Sequence, residues 1–408
     1  MNKDKNPQSE QQKTRQIQTL LTRGVQEVLP SHDFLKSQLS SGKKLKIYAG
    51  VDPTGPTLHI GHAIVFRKLR QFQDLGHGVI MLVGDFTAMI GDPDKMSIRK
   101  PLTEKEVKQN LKLYTRQASK ILRFTGPNKV KVVYNSAWLK KLTMRDVIGI
   151  SSLMTVDQML KRDMFVKRME QKNPISIHEF MYPLMQGYDS VALGVDVEIG
   201  GNDQMFNMMT GRDLLKKMKN HEKTCITMKL LTDSEGKKMG KTEGNMVSFL
   251  DTHFEMFGKI MSWTDGMIAN GFELCTDVEE SELSNIRQQL KDGSVNPRDL
   301  KIRLAEEIIG GYYGQKEAKE ASENFIKTFS NKEIPEDIKE TKAAKGELLS
   351  AILLKEGIVS SVGDFKRLVK EKAVHIQDGD TVSDFNYAVT DHVTLKVGKK
   401  RFISIKVD

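Results

Sequence analysis

Two histidines, His59 and His62, lie three positions apart in a segment whose residue types suit the binding of a phosphate group. The segment 48–62 follows a predicted strand, contains several glycines and prolines, and runs into a predicted helix. A helix start presents free N–H groups to an anion, and side chains three positions apart face the same side. Both imidazoles can therefore donate a hydrogen bond to one phosphate, and Gly61 leaves room for a flat base. A purely local role at the helix start is the alternative for this motif alone.

Two lysines, Lys238 and Lys241, lie in a second such segment, which reads Lys-Met-Gly-Lys-Thr at 238–242. Two ammonium groups on one loop suit the negative charge that develops on a departing pyrophosphate. A solvated basic turn is the alternative interpretation of this segment. The chain has neither the GxxxxGK[ST] pattern of a P-loop nor a GxGxxG after the strand, so those two phosphate motifs are excluded. The two motifs together, in this order, are far more specific than either one.

The elements that must position these side chains predict an α/β fold with a parallel sheet. A strand at 45–49, a helix from His59 and a strand at 79–83 form a strand–helix–strand unit with a right-handed crossover. Residues 1–12 are expected to form a loose tail. Further strands are predicted at 130–134 and 195–199, and further helices at 17–28, 33–39, 103–124, 140–190 and 249–340.

Length and composition indicate roughly two to three domains with a sizeable core, since the chain has 408 residues and 38% are hydrophobic. No apolar run approaches the ~18 residues that span a bilayer, and the polar N-terminus argues against a secretory signal, so we expect no membrane association. The two cysteines, Cys225 and Cys275, are too far apart for a disulfide framework and favour the reducing cytoplasm. The formal charge of +10 indicates an anionic partner such as nucleic acid, although many soluble proteins are mildly basic.

Several further segments, taken in order with the two phosphate motifs, resemble the bacterial-type tyrosyl-tRNA synthetase branch of the class I aminoacyl-tRNA synthetases. They are Thr22–Val25, Gly50–Thr54, Gly84–Thr87, Ile90–Pro93, Tyr182–Asp189 and Gly200–Gln204. The resemblance covers nearly the whole chain. It implies a Rossmann-like parallel-sheet catalytic domain at 1–232, with a helical dimerisation insertion at about 125–190. A lysine loop and helical domain at 233–341 and a small α+β RNA-binding domain, S-four-like, at 346–408 are expected to follow.

The resemblance also implies a two-step reaction. ATP, accompanied by Mg²⁺, activates L-tyrosine to tyrosyl-adenylate, and the tyrosyl group then passes to the 3′ end of tRNA(Tyr). The substrate carboxylate is the nucleophile, so catalysis is expected to rest on positioning and charge stabilisation rather than on a protein nucleophile. The resemblance further implies a cytoplasmic homodimer, and it identifies no protein ligand for a metal ion.

ATP is assigned by resemblance to residues of the two motifs and of neighbouring loops. The phosphate side is assigned to His59, His62, Thr54, Lys238 and Lys241. The nucleoside side is assigned to Gly61, Gly201 and Asp203, and a further, looser phosphate clamp to Lys95 and Arg99. The lysine motif departs from the family pattern KMSKS at Gly240 and Thr242, which bears on loop flexibility and rate, while both lysines remain.

L-tyrosine is assigned by resemblance to a second group of side chains. Tyr48 and Asp189 are expected to bind the phenol, Tyr182, Gln186 and Asp92 the α-ammonium group, and Gln204 the carboxylate side. An ionised aspartate accepts the phenol hydrogen bond, whereas phenylalanine would leave both polar groups unpaired. Tyr182, Gln186 and Asp189 are spaced by four and three residues, which places them on one face of a helix. Singly, each could be an ordinary core, cap or turn residue, and the ordered set favours the pocket.

A linker is predicted at Thr341–Lys345. The basic residues that follow it in the sequence predict contact with tRNA. Ser361 and Asp364 form a capping-box pattern that starts a helix. That helix carries Lys366, Arg367, Lys370 and Lys372, and a second cluster contains Lys396, Lys399, Lys400 and Arg401. Another basic set lies in a segment that the family divides between a dimer interface and the tRNA acceptor stem, and the sequence leaves this division open. Its members are Lys140, Lys141, Arg145, Lys161, Arg162, Lys167, Arg168 and Lys172.

Two alternatives to a tyrosine enzyme remain open. A tryptophanyl-tRNA synthetase would share both phosphate motifs but would lack a pair such as Tyr48 and Asp189 that suits a phenol. A non-catalytic RNA-binding or splicing protein could use the same scaffold, although such a protein can lose the lysine loop or a histidine, and this chain retains both.

Overall fold

The computed structural model describes residues 7–93, 102–232, 246–330, 338–377, 381–398 and 401–407. The chain divides into two compact units, Met1–Gly314 and Gln315–Asp408. In the described part of both units, no helix is long and apolar enough to cross a membrane.

The first unit is built, within its described residues, on a six-stranded sheet with the order β1-β6-β5-β2-β3-β4. The strands are β1 (Val25–Leu29), β2 (Lys46–Val51), β3 (Gly78–Val83), β4 (Lys131–Tyr134), β5 (Val197–Gly201) and β6 (Thr224–Met228). All neighbouring pairs are parallel except β1 with β6. Residues of β3 and β6 are almost all buried, as expected for strands covered on both faces. The predicted parallel sheet is confirmed.

The direction of winding in this sheet reverses between β2 and β5. From β2 the chain continues to β3 and β4 on one side, whereas from β5 it continues to β6 on the other. A crevice therefore lies between the carboxyl ends of β2 and β5, which is where ligands bind in open α/β sheets. The segment 52–59 leaves β2 at this edge, and the turn 202–204 leaves β5 there.

Most helices of the first unit overlap the predicted helical regions, but those at 87–90, 136–139 and 205–219 lie outside them. The helices described in this unit are named in chain order. They are α1 (Pro7–Thr22), α2 (His32–Ser40), α3 (Ile60–Asp74), α4 (Thr87–Ile90), α5 (Glu104–Leu111), α6 (Tyr114–Ala118), α7 (Ser136–Leu139), α8 (Met144–Ser151), α9 (Val156–Leu160), α10 (Asp163–Glu170), α11 (Ile177–Leu193), α12 (Met205–Lys219), α13 (His253–Met261), α14 (Ile268–Cys275), α15 (Glu280–Asp292) and α16 (Pro297–Tyr313). Helices α11 and α12 pack closely through Gly187, where a Cβ atom would lie 3.2 Å from the backbone nitrogen of Gly211. Strand β4 belongs to the main sheet, so the helical part of the predicted insertion begins after it, at α7.

Two expectations for the N-terminal region are wrong. The helix α1 already begins at Pro7, inside the predicted loose tail. The predicted helix at 17–28 ends at Thr22, and residues 25–29 form β1, which pairs with β6. The register of this pair shifts between Val25 and Glu27, so its buried residues are Val25 and Val28. Because of this bulge, the two buried residues of the strand are three positions apart instead of two. A spacing of three between apolar residues is also typical of a helix.

The second unit is a small α+β structure with a core that includes Leu353, Phe365, Leu395 and Ile403. Its helices are α17 (Gln315–Ser330), α18 (Leu349–Lys355) and α19 (Val362–Lys370). Its strands are β7 (Lys339–Ala343), β8 (Glu347–Leu348), β9 (Val374–Ile376), β10 (Ala388–Val389), β11 (Val393–Val397) and β12 (Arg401–Val407), with the orders β7-β12-β11-β9 and β10-β8. The predicted linker at 341–345 is wrong, because 339–343 form β7 and pair in parallel with β12. The predicted helix start at Ser361 is confirmed, since its side chain accepts a hydrogen bond from the Asp364 N–H group.

Candidate active site

The histidine pair lies at the start of α3, where the chain arrives from β2. His59 is the N-cap, and its Nδ1 accepts a hydrogen bond from the Gly61 N–H group at 3.1 Å. His62 Nδ1 accepts one from the His59 N–H group at 3.2 Å, and the two ring centroids are 4.0 Å apart. Because each Nδ1 accepts, the neutral form of each ring carries its proton on Nε2. Both histidines therefore form local hydrogen bonds at the helix start, as the alternative interpretation proposed. The same bonds fix the tautomer in which Nε2–H can donate to a phosphate.

The chain that follows the lysine motif returns to this histidine pair. The Ile60 N–H group donates to the Val247 carbonyl at 3.0 Å, and the Phe249 N–H group donates to the Leu58 carbonyl at 3.1 Å. These bonds join the residues that follow 245 to the start of α3. Four predicted phosphate ligands lie outside the described residues, namely Lys95, Arg99, Lys238 and Lys241.

The two residues predicted to bind the phenol, Tyr48 and Asp189, are both buried. The Tyr48 hydroxyl lies 2.9 Å from Ser190 Oγ. Burial raises the pKa of Tyr48, and the charges of Glu198 and Asp189 raise it further. The Asp189 charge thus acts on the Tyr48 hydroxyl.

Asp189 is held in place by two side chains that the sequence did not identify. Trp138 Nε1–H donates to it at 2.8 Å and Asn135 Nδ2–H at 3.2 Å. Burial raises the pKa of Asp189, whereas these two hydrogen bonds lower it. Trp138 and Asn135 follow β4, so the strand order explains why they meet a helix more than fifty residues further along the chain.

Two residues predicted for the amino group, Gln186 and Asp92, and Gln204, predicted for the carboxylate side, belong to one hydrogen-bonded network with an asparagine at its centre. Asn207 Nδ2–H donates to Gln186 Oε1 at 2.9 Å and to Gln204 Oε1 at 3.0 Å. Gln204 Nε2–H in turn donates to Asp92 at 2.7 Å. Arg162 pairs with Asp92 and donates to Asn207 Oδ1 at 3.1 Å. The network therefore joins α11, α12, the start of α10 and the segment after α4 around one carboxylate.

Tyr182, the last predicted member of this group, points to a second carboxylate. Its hydroxyl donates to Asp52 Oδ2 at 2.9 Å, and Thr87 Oγ1 donates to Asp52 Oδ1 at 2.8 Å. Burial raises the pKa of Tyr182, and the charges of Asp52 and Asp92 raise it further. Asp52 and Thr87 belong to segments that carried the family resemblance, but the sequence assigned neither a role.

The residues predicted for the γ-phosphate and the ribose lie at the same edge of the sheet. Thr54 is exposed in the segment that leaves β2, and its N–H group donates to the Asp52 carbonyl at 2.8 Å. Gly201 ends β5 and Asp203 is exposed in the turn that follows it. A Cβ atom on Gly201 would lie 2.4 Å from Asp203 Oδ1, so the glycine leaves room for this carboxylate.

Two arginines of the predicted basic surface are not on the surface. Arg162 is 5% exposed and pairs with Asp92, and Arg168 is fully buried and pairs with Glu179. The expectation that these two face a partner or tRNA is wrong, because both charges are compensated within the first unit. The remaining basic residues of 140–172 stay candidates.

Comparisons with known proteins agree with this geometry. The sequence profile of a family described as tRNA synthetases class I (W and Y) matches residues 40–330. The chain is 44% identical to a tyrosine–tRNA ligase of Carboxydothermus hydrogenoformans, over 95% of this chain and 96% of that protein. It is 42% identical to the tyrosine–tRNA ligase of Moorella thermoacetica, over 96% of each chain. In fold it is similar to a C-terminally truncated mitochondrial tyrosyl-tRNA synthetase of Aspergillus nidulans, with a TM-score of 0.62, 24% identity, and coverage of 78% of this chain and 100% of that one.

Proposed function

The chain belongs to the tyrosine–tRNA ligase family of the class I tRNA synthetases, and from this premise we propose how its residues activate tyrosine. ATP and L-tyrosine meet in the crevice between β2 and β5, and the activated tyrosyl group passes to the 3′ end of tRNA(Tyr). The observation that carries the proposal is that the buried Tyr48 lies in β2, the strand from which the chain runs to His59 and His62 at the start of α3.

ATP lies with its phosphates at the start of α3 in this proposal. The Nε2–H groups of His59 and His62 donate to phosphate oxygens, and the helix start adds its own N–H groups. Lys241 lies six positions before Val247, whose carbonyl is bonded to Ile60, and six residues span at most about 20 Å. We assign to this lysine the stabilisation of the departing pyrophosphate.

L-tyrosine enters with its phenol towards Tyr48 and Asp189. The Asp189 carboxylate accepts the hydrogen bond that the phenol hydroxyl donates. The Tyr48 hydroxyl donates a second hydrogen bond to the phenol oxygen. The α-ammonium group is held by Asp92, Gln186 and Tyr182, which places the substrate carboxylate towards the nucleotide. No protein nucleophile is required, because this carboxylate attacks the α-phosphate itself, and the site contributes position and compensating charge.

Mg²⁺ arrives with ATP in this proposal and is held by phosphate oxygens and water. Among the described residues, no group of three or more His, Cys, Asp or Glu side chains is arranged to hold a metal ion. The compartment we propose is the cytoplasm, where tRNA and ATP are available, and both cysteines are buried and unpaired.

tRNA is proposed to contact α19 of the second unit through Lys366 and Lys370, which are both exposed. Arg367, the third predicted contact, is paired with Asp364 at 2.8 Å and with Glu371 at 3.0 Å. Its charge is compensated within the helix, so we expect a smaller share of the binding from it than from the two lysines.

A second copy of the chain is proposed to cover an apolar surface on the helices after β4. Large hydrophobic side chains are exposed here by 62% to 80%. This apolar surface comprises Met144, Ile148, Val156 and Ile177. Large apolar side chains with this much exposure are typical of an interface when they form one patch, and we propose that these four do.

The experiment that tests this function is ATP–pyrophosphate exchange with tyrosine and with tryptophan. We expect exchange that depends on tyrosine, and we expect Lys241→Ala to reduce kcat by about 10²-fold or more because the leaving group loses its stabilising charge. Lys229→Ala is the matched control, since this lysine lies near the same loop but pairs with Glu273. Exchange with tryptophan alone would identify the other branch of the family, and RNA binding without exchange would identify a non-catalytic protein.

A further inference from the structure

A buried charged cluster lies directly behind the phenol-binding Tyr48. It consists of Lys223 before β6, Glu198 in β5 and Ser190 in α11, which are between 0% and 3% exposed. Lys223 forms an ion pair with Glu198, and Ser190 Oγ lies 2.8 Å from Lys223 Nζ and 2.9 Å from the Tyr48 hydroxyl. Neither the motifs nor the proposed reaction accounts for these three residues.

The hydrogen bonds of this cluster have a direction that the chemistry of lysine imposes. An ammonium group has three protons and no lone pair, so it can only donate. The protons of Lys223 go to Ser190 Oγ, to Glu198 and to the Met208 carbonyl at 3.1 Å. Ser190 Oγ thus accepts from Lys223, and its own proton is left for Tyr48 or for Glu198, which is 3.3 Å away.

The packing of α12 makes room for this arrangement. A Cβ atom on Gly211 would lie 2.8 Å from Lys223 Nζ and 2.9 Å from Ser190 Oγ. Any larger residue at this position would displace one or both groups. The backbone is therefore shaped around the lysine and the serine.

We propose that Lys223 orients the hydrogen bonds of the tyrosine pocket, so that Tyr48 donates to the phenol oxygen of the substrate. Lys223 donates a hydrogen bond to Ser190, Ser190 donates to Tyr48, and Tyr48 donates to the phenol. The phenol in turn donates to Asp189, which is the final acceptor. This inference rests on the proposed role of Tyr48 and Asp189 in holding the phenol. Lys223 and Ser190 are positioning residues, since they act through Tyr48.

The direction matters because the phenol has a single proton. If that proton goes to Asp189, the phenol oxygen can be paired only by a group that donates to it. Tyr48 can donate only if Ser190 does not take its proton, which requires that Ser190 donate in turn. Burial keeps water from correcting a wrong orientation, so a reversed chain would leave two oxygens facing each other without a proton between them.

Lys223→Met tests the proposal, with the ratio of kcat/KM for tyrosine to that for phenylalanine as the readout. In this variant the Ser190 hydroxyl donates to Glu198, because Lys223 no longer does. Tyr48 then donates to Ser190 Oγ, and the phenol oxygen of the substrate loses its donor. We expect the ratio to fall by about tenfold, the value of one buried hydrogen bond, because phenylalanine never used it. Glu198→Gln breaks the same ion pair but keeps the lysine as donor, and we expect it to retain most of the ratio.

A merely structural ion pair would respond differently. Both variants would then lower exchange with tyrosine and phenylalanine alike, the ratio would stay unchanged, and the proposal would be overturned. Where Lys223→Met does not fold, the double variant Lys223→Met/Glu198→Gln leaves no buried charge but keeps an amide oxygen that can accept the Ser190 proton, and its ratio should also fall. Lys68→Met, a buried lysine on α3 bonded to the Leu20 carbonyl, is the control whose ratio should not change. A wild-type protein without tyrosine exchange would instead refute the proposed function.

Discussion

The carboxylate of Asp52 accepts hydrogen bonds from Tyr182 and Thr87, and the backbone of Gly84 lies against the same carboxylate. A Cβ atom on Gly84 would lie 1.9 Å from Asp52 Oδ1 and 2.4 Å from Thr87 Oγ1. No heavy atoms can be this close, so any side chain at 84 must displace Asp52. The glycine at the end of β3 is therefore a requirement of the tyrosine site and not only of a turn.

Gly84→Ala is expected to raise KM for tyrosine by about tenfold, because Tyr182 loses the acceptor that orients it. The protein should also lose about 1–3 kcal/mol of unfolding free energy through overpacking. Exchange kinetics at varied tyrosine and varied ATP, together with denaturant unfolding, measure both effects. KM for ATP should change much less, and an equal rise in both constants would contradict the assignment of Asp52 to the amino-acid side.

Gly311→Ala is the matched control for this prediction. It lies in α16 and a Cβ atom there would meet no atom within 4 Å. Alanine in the interior of a helix stabilises by about 0.5–1 kcal/mol relative to glycine. The two alanine variants should therefore move the unfolding free energy in opposite directions.

The site residues that the sequence identified were assigned mainly by the family resemblance, and local spacing supports some of them. Tyr182, Gln186 and Asp189 share a helix face, and His59 and His62 share a helix start. Asn207, Trp138 and Lys223 join the site only through the packing of α11, α12 and β4. Their partners Gln186, Asp189 and Glu198 lie more than twenty residues away in sequence, and no spacing rule predicts such contacts.

At the scale of elements, β2, β3, β4 and β5 could be predicted because buried parallel strands are short, continuous and apolar, whereas β6 was not among the predicted strands. β1 could not, since its bulge gives Val25 and Val28 the spacing of a helix. β7 was taken for a linker because its residues are mostly charged and exposed, and only its pairing with β12 identifies it as an edge strand.

Helices α1 and α3 meet at a buried lysine whose charge opposes folding. Burial, and to a lesser extent the charge of Arg23, lowers the pKa of Lys68 to about 7. An unfolded chain restores a lysine pKa of about 10.4. Between these two pH values the unfolded chain binds more protons than the folded one, so the contribution of Lys68 makes the protein more stable as the pH rises from about 7 to about 10.

Lys68→Met should therefore stabilise the first unit most at or below pH 7, by an upper limit of about 5 kcal/mol, and the gain should shrink towards pH 10. Denaturant unfolding of both proteins at several pH values measures this difference. Lys108→Met, at an exposed position on α5, should change stability by less than about 0.5 kcal/mol. A gain for Lys68→Met that is the same at pH 7 and pH 10 would show that lost charge is not its cause.

At the scale of the whole molecule, we assign substrate activation and tRNA binding to different units. The first unit contains every described residue that we assign to ATP and tyrosine, whereas the exposed lysines assigned to tRNA lie on α19 of the second. In this proposal one chain provides one activation site and one basic helix that contacts RNA. The apolar surface on α8, α9 and the start of α11 is used by neither task, which is why we assign it to a second copy.

Ile148→Asp is expected to convert the protein from a dimer to a monomer. Ile148 is 62% exposed within the apolar surface, and burial of an unpaired carboxylate in an apolar interface is strongly unfavourable. Sedimentation or light scattering should give twice the chain mass of 46.2 kDa for the wild type and the single mass for the variant. Leu250→Asp places the same charge on an exposed leucine outside this surface and should leave the mass doubled. If the wild type already has the mass of one chain, or if Ile148→Asp keeps the double mass, the apolar surface is not the contact between two copies.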